Sequence, residues 1–95
     1  MTSKQRAYLK SQAMQMDAVF QLGKSSLTPE FTEAVREAIE ARELIKIAVL
    51  KTVTDDIREL AHALAERTHS EVVQIIGRKI VLWKQARENS AYRLP

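Results

Sequence analysis

The sequence predicts an α/β domain of order αβαβαββ, built on one four-stranded mixed sheet. Three features carry that expectation. Segments with apolar residues at helical spacing alternate with short runs dense in Val, Ile and Leu, the rhythm of strand–helix–strand units. Each such unit needs a crossover, so the first three strands are expected to run largely parallel. The last two apolar runs are separated only by Gly77-Arg78, which makes them an antiparallel hairpin. At 95 residues the chain can hold one modest core, so one domain is expected over residues 1–84, followed by a basic tail at 85–95.

Each element has a local reason. Ser3 is placed to cap a first helix running to about Met14, with Leu9, Ala13 and Met16 on its apolar side. Arg6 and Lys10, four residues apart, share a face away from that side. Residues 18–22 read as a short strand ending at Gly23, and 23–27 as a loop. Thr28 followed by Pro29 starts a second helix: a capping hydroxyl, then a proline where the missing N–H costs nothing. Phe31, Ala34, Val35, Ala38 and Ile39 form its inward stripe, and its glutamates, Glu30 to Glu43, lie on the solvated side.

Residues 44–50 are too short for a typical helix and rich in β-branched side chains, hence a second strand. Thr54, Asp55 and Asp56 all offer caps for a third helix, whose Ile57, Leu60, Ala61, Leu64 and Thr68 face inward. Residues 72–76 and 79–84 are the hairpin strands. Ile80-Val81-Leu82-Trp83 is apolar at both parities, as in a strand covered on both faces. The second and third helices are expected on one face of the sheet, with the first free to cover part of the other. From Gln85 onward there is no period, and the tail is expected to be loosely held.

Composition removes several function classes. With no cysteine there is no disulfide framework and no thiolate metal site. The N-terminus lacks the apolar core of a signal peptide, and no stretch approaches the ~20 apolar residues of a membrane span. A soluble cytoplasmic protein, with no membrane partner, is expected. The net charge of +3 is unevenly spread: Lys4, Arg6, Lys10 and Lys24 near the start and Arg78, Lys79, Lys84, Arg87 and Arg93 near the end flank an acidic second helix. Basic surfaces of this kind suit polyanions such as nucleic acid.

Taken in order, Thr2-Ser3-Lys4-Gln5-Arg6, Phe20-Gln21-Leu22-Gly23-Lys24, Leu27-Thr28, Glu43-Leu44-Ile45-Lys46, Val73-Gln74-Ile75-Ile76-Gly77 and Ile80-Val81-Leu82-Trp83 resemble the CRM (chloroplast RNA splicing and ribosome maturation) domain, in its stand-alone bacterial, YhbY-type form. The resemblance spans roughly residues 2–84. It implies an RNA-binding αβαβαββ domain similar to the C-terminal domain of bacterial initiation factor three, associated with precursors of the large ribosomal subunit. The family's signature is a GxxG loop between the first strand and the next helix, where glycines let the backbone approach RNA closely. Here the loop reads Gly23-Lys24-Ser25-Ser26, so Ser26 replaces the second glycine. If that position needs φ > 0, the serine is strained; alternatively its hydroxyl serves as a phosphate ligand.

Sharper chemistries fare poorly. Gly23-Lys24-Ser25 resembles the end of a phosphate-binding P-loop, but the required first glycine is Ala18, inside a strand. His62, Glu66 and His69 share a helix flank with metal-like spacing, yet no fourth ligand is evident and solvated polar residues are the better reading. Glu33 and Glu37 lack the pocket that paired catalytic carboxylates need. Trp83 could stack on a base but fits a buried position better. Lys46 is either a snorkelling lysine or an RNA contact, and Arg78 and Lys79 at the hairpin are either phosphate contacts or a solubilising edge.

The expected function is therefore non-enzymatic and cofactor-free: a monomeric RNA-binding protein acting on ribosomal RNA in large-subunit precursors. Lys4, Arg6, Lys10, Gly23, Lys24, Ser25, Ser26, Lys46 and Arg78 are the candidate RNA contacts, and no metal ligands are assigned. The alternative is a protein-interaction module, in which the acidic second helix or the tail docks a ribosomal or assembly protein.

Overall fold

A computed structural model describes residues 1–95. Its elements are α1 (Ser3–Ala13), β1 (Phe20–Leu22), α2 (Pro29–Arg42), β2 (Leu44–Val49), α3 (Ile57–Thr68), β3 (Glu71–Ile76) and β4 (Lys79–Trp83), the predicted αβαβαββ order. The four strands form one mixed sheet in the order β1-β2-β4-β3. β1 and β2 are parallel, while β4 runs antiparallel to both its neighbours. β1 and β3 are therefore the two edges.

Side-chain parity divides the molecule into three layers. Ile45, Ile47 and Val49 of β2 and Ile80 and Leu82 of β4 point to one face, where Val35 and Ile39 of α2 and Leu60, Ala61 and Leu64 of α3 close the larger core. Leu44, Val81 and Trp83 point to the other, where Leu9 and Ala13 of α1 close a smaller one. The first helix thus takes the face left open by the other two. β4 is covered on both sides, as its unbroken apolar run requires. On β3, Val72 and Ile75 both reach the larger core although three residues apart. A bulge makes this possible: Val72 pairs with Leu82 and Gln74 with Val81, leaving Val73 as the extra residue.

The caps refine the sequence reading. Thr2, not Ser3, caps α1: its hydroxyl accepts from Gln5 N (3.1 Å) while its own N–H donates to Gln5 Oε1 (3.1 Å). The Thr-x-x-Gln spacing makes this reciprocal capping box, which Ser3 cannot form. Thr28 caps α2 as expected, accepting from Phe31 N at 3.0 Å. Of the three candidates before α3, Asp56 is the cap, and Asp55 is left for another contact. The first strand is shorter than its apolar run, since Val19 makes a single ladder bond to Lys46 O before regular pairing begins at Phe20. Gly77 has φ +57 at the first position of the two-residue turn, a conformation that favours glycine.

The tail departs most from expectation. It is held by Glu43, which ends α2 and is only 4% exposed. The Glu43 carboxylate accepts from Ala86 N (3.0 Å), Ser90 Oγ (2.6 Å) and Ala91 N (2.7 Å). Tyr92 then packs edge-on against Trp83, ring centroids 5.2 Å apart, and joins Leu94 on the smaller core. An aperiodic segment can be ordered when a buried carboxylate satisfies its backbone. That signal has no period to detect.

Candidate nucleic-acid interface

Parallel pairing brings the C-terminal ends of β1 and β2 to one end of the sheet, and the β3–β4 turn joins them there. Three connections meet at this end: residues 23–28, residues 50–56 and Gly77-Arg78. They carry Lys24, Lys51 and Arg78, and Lys79 starts β4 beside them; Lys24, Lys51 and Lys79 are exposed. Lys51 is absent from the sequence-derived set. The rule that ligands gather beyond the carboxyl ends of parallel strands is the signal that marks it.

Within the loop, the two positions where glycine matters behave differently. Ser26 has φ +59, the left-handed region, so its backbone is in the conformation for which glycine is suited. Its hydroxyl donates to Asp55 Oδ2 at 3.0 Å, tying this loop to the one before α3. The hydroxyl is thus already occupied, and by a group that repels phosphate. Asp55, Asp56 and Glu59 together make the groove beside Ser25 and Ser26 acidic. Gly23, by contrast, has an ordinary φ, and a Cβ built on it would meet only Leu50 Cδ1, at 3.8 Å. That is ordinary van der Waals contact, so nothing inside the protein requires glycine there.

Three candidate contacts hold main-chain carbonyls. Arg6 Nη1 donates to Val72 O (2.7 Å) and Val73 O (2.8 Å), closing the bulge on the free edge of β3. Lys46 Nζ donates to Met16 O (2.9 Å), fastening the α1–β1 connection to the sheet. Arg78 donates through Nε to Val49 O (3.0 Å), and through Nη2 to Leu50 O (2.7 Å) and Val53 O (3.0 Å). Lys4 is exposed on α1, and Lys10 stands with Arg6 beside β3. The nine candidates do not form one cluster. Residues 23–26 leave β1 at one edge of the sheet, while Arg6 and Lys10 flank β3 at the other, about 14 Å away across three strand spacings.

Other residues weighed from sequence find structural places. His62 lines the groove beside β3, whereas His69 caps α3 with φ +55 and lines a different groove, so the two do not converge. Trp83 is 4% exposed beneath Tyr92. The acidic face of α2 is partly neutralised: Arg36 forks onto Glu33, and Lys84 donates to Glu40. The hydrogen bonds from those partners hold both carboxyls below their usual range. Glu43, read from sequence as solvated helix charge, is the buried tail anchor.

Known proteins resemble this chain in sequence and in fold. The family model for the CRS1 / YhbY (CRM) domain matches residues 1–84. A Bacillus subtilis (strain 168) protein named YqeI, described as a probable RNA-binding protein, is 40% identical over 95 residues, covering 100% of this chain and 99% of its own. A Haemophilus influenzae protein named as RNA-binding is 28% identical over 88 residues, covering 93% and 89% of the two chains. The solution structure of SAV1595 from Staphylococcus aureus, a candidate RNA-binding protein, superposes with a TM-score of 0.85 at 42% identity, covering 100% of this chain and 99% of that one. With the family model matching residues 1–84 and relatives of 40–42% identity spanning its full length, the chain belongs to the CRS1/YhbY (CRM) domain family.

Proposed function

We propose that this protein binds RNA without catalysis, as a monomer in the cytoplasm, and that its target is ribosomal RNA in precursors of the large ribosomal subunit. The observation that carries the reading is the loop after β1: an unobstructed glycine, an exposed lysine and a left-handed fourth position at the basic end of the sheet. Lys24 and the 23–26 backbone hold phosphates, with Ser25, Ser26, Lys4 and Lys10 near the path of the chain. Arg6, Lys46 and Arg78 shape the surface through the carbonyls they hold, and Arg6 and Lys46 also offer their remaining N–H donors to RNA.

Because phosphate contacts dominate, log affinity for single-stranded RNA is expected to fall linearly with log salt, with a slope of about −2 to −4 for ~3–6 neutralised phosphates. A flat filter-binding titration, together with failure to hold heparin at low salt, would favour the protein-docking reading instead. Lys24→Ala should reduce the slope by about 0.7 with little effect on folding.

The glycine positions give a sharper test. Gly23→Ala is expected to stabilise the fold by about 0.5 kcal/mol, because it restricts only the unfolded chain, and yet to weaken RNA binding severalfold. Equal affinity in that variant excludes close backbone approach at position 23. Ser26→Gly relieves the left-handed strain and frees Asp55 from the loop; RNA binding should tighten by about 1 kcal/mol. A loss of affinity there makes the hydroxyl a ligand.

A further inference from the structure

A groove of about 390 Å³ runs along the free edge of β3. It is lined by Arg6 and Lys10 from α1 and by Arg58 and His62 from α3, so helices on opposite faces of the sheet converge on one edge. Each pair is spaced i, i+4 and therefore faces the same way. Four other surface grooves differ from it in charge, each including at least one carboxylate: Glu71, then Asp55, Asp56 and Glu59, then Glu40 and Glu88, and last Glu33. The β3-edge groove has none.

The basic groups here are not neutralised from within. The protein's ion pairs are Arg36–Glu33 and Lys84–Glu40, so Lys10 and Arg58 take no part in one. Arg6 is held in position by Val72 O and Val73 O through Nη1 alone, leaving Nε and Nη2 without a protein partner. Uncompensated like charges brought together across a sheet edge oppose folding, and an anion in the groove removes that opposition.

We propose that this edge groove is a second phosphate subsite, which takes the sugar–phosphate backbone of the RNA bound by the 23–26 loop. The inference rests on the RNA-binding reading above. The two subsites lie at opposite edges of the sheet, at least ~14 Å apart, so only a strand of several nucleotides engages both. Ligand length, and not affinity alone, then separates them.

The test compares the full chain with a Lys10→Gln/Arg58→Gln double variant, with Lys24→Ala and with all three changes. Arg6 is left in place because it closes the bulge. A long and a very short single-stranded RNA are titrated at several salt concentrations, and thermal unfolding is recorded for each protein. The double variant is expected to unfold no earlier than the parent, to bind the long RNA about tenfold more weakly, and to show a slope shallower by about 1.4. The short RNA, which reaches one subsite at a time, should lose less, and Lys24→Ala should add to the deficit on the long one. If the double variant binds long RNA as the parent does while Lys24→Ala is impaired, the groove is not a subsite and the loop reading stands. If the parent binds neither RNA at low salt, the RNA reading itself fails and the subsite with it. Amide shifts of Gln74 and Ile75 caused by inorganic phosphate but not by RNA mark a free-phosphate site and overturn the assignment to RNA.

Discussion

Glu43→Ala is expected to lower the stability of the fold by about 3 kcal/mol, which for a chain of this size is a fall in Tm of roughly 12–24 °C. The carboxylate satisfies two backbone N–H groups and one hydroxyl of the tail, and its removal leaves them two choices. Either the donors stay buried without an acceptor, or the tail peels away and uncovers Trp83, Tyr92 and Leu94. Both outcomes are costly, and the second is visible, because Trp83 is the only tryptophan and its fluorescence reports the tail. Glu43 also has φ +68, so Glu43→Gly recovers about 1 kcal/mol of backbone strain relative to Glu43→Ala. If the alanine and glycine variants unfold together at the parental temperature, the anchor carries no stability.

The same carboxylate gives the tail a pH dependence. Burial pushes its pKa up, but the hydrogen bonds from Ala86, Ser90 and Ala91 outweigh that and hold it below the usual 4.5. A carboxyl with a depressed folded value contributes stability that is fully present above its unfolded value, and that is lost as pH falls through the folded one. Tail docking is therefore expected to be complete near neutrality and to weaken only below about pH 4.5, where Glu43 begins to protonate and can no longer accept from all three donors. In Glu43→Gln the acid-induced change in Trp83 fluorescence should disappear. Tyr92 moves the other way: burial first, and then the nearby Glu43 charge, raise its phenol.

The element order of this fold was legible in the sequence, whereas the sheet face that α1 covers was left open until the structure placed Leu9 and Ala13 on the smaller core. Helical spacing located the helices, short runs dense in β-branched and apolar residues located the strands, and the both-parity run Ile80-Val81-Leu82-Trp83 announced the doubly covered strand β4. The β3 bulge is less visible, since it is a local change of register whose sign is only the three-residue spacing of Val72 and Ile75. The family loop could be located, and its left-handed fourth position was a conditional that Ser26 meets. What the pattern does not reveal is which cations are spent on carbonyls. Arg6 and Arg78 look like any surface cation in sequence, and Lys46 stood open between a snorkelling lysine and an RNA contact; their partners lie at separations of 66, 29 and 30 residues. Glu43 is the mirror case, an acid on a charged helix whose partners are backbone N–H groups more than forty residues away.

Arg78→Ala is expected to destabilise the fold by about 2–3 kcal/mol, although a turn arginine at a basic end of the sheet invites reading as a phosphate ligand. Its planar fork reaches Val49 O, Leu50 O and Val53 O at once, three carbonyls of the segment that leads from β2 into α3. Val49 ends β2, and in the irregular stretch beyond it Leu50 O also accepts from Val53 N, so Arg78 ties the strand end to the start of that stretch. Arg78→Lys should recover little, because a single ammonium cannot match the spacing of a guanidinium that bridges separate carbonyls. The consequence for binding is indirect. Asp55 follows closely in the same segment and accepts the Ser26 hydroxyl, so a loosened segment also frees the Gly23–Ser26 loop. Stability and the salt dependence of RNA binding then separate the two roles. A staple lowers the unfolding midpoint and leaves the slope of log affinity against log salt near its parental value; a phosphate ligand lowers the slope by about 0.7 and leaves the midpoint alone. The three hydrogen bonds to carbonyls favour the staple. A variant with parental stability and a shallower slope would falsify it, and would return Arg78 to the set of direct contacts with Lys24.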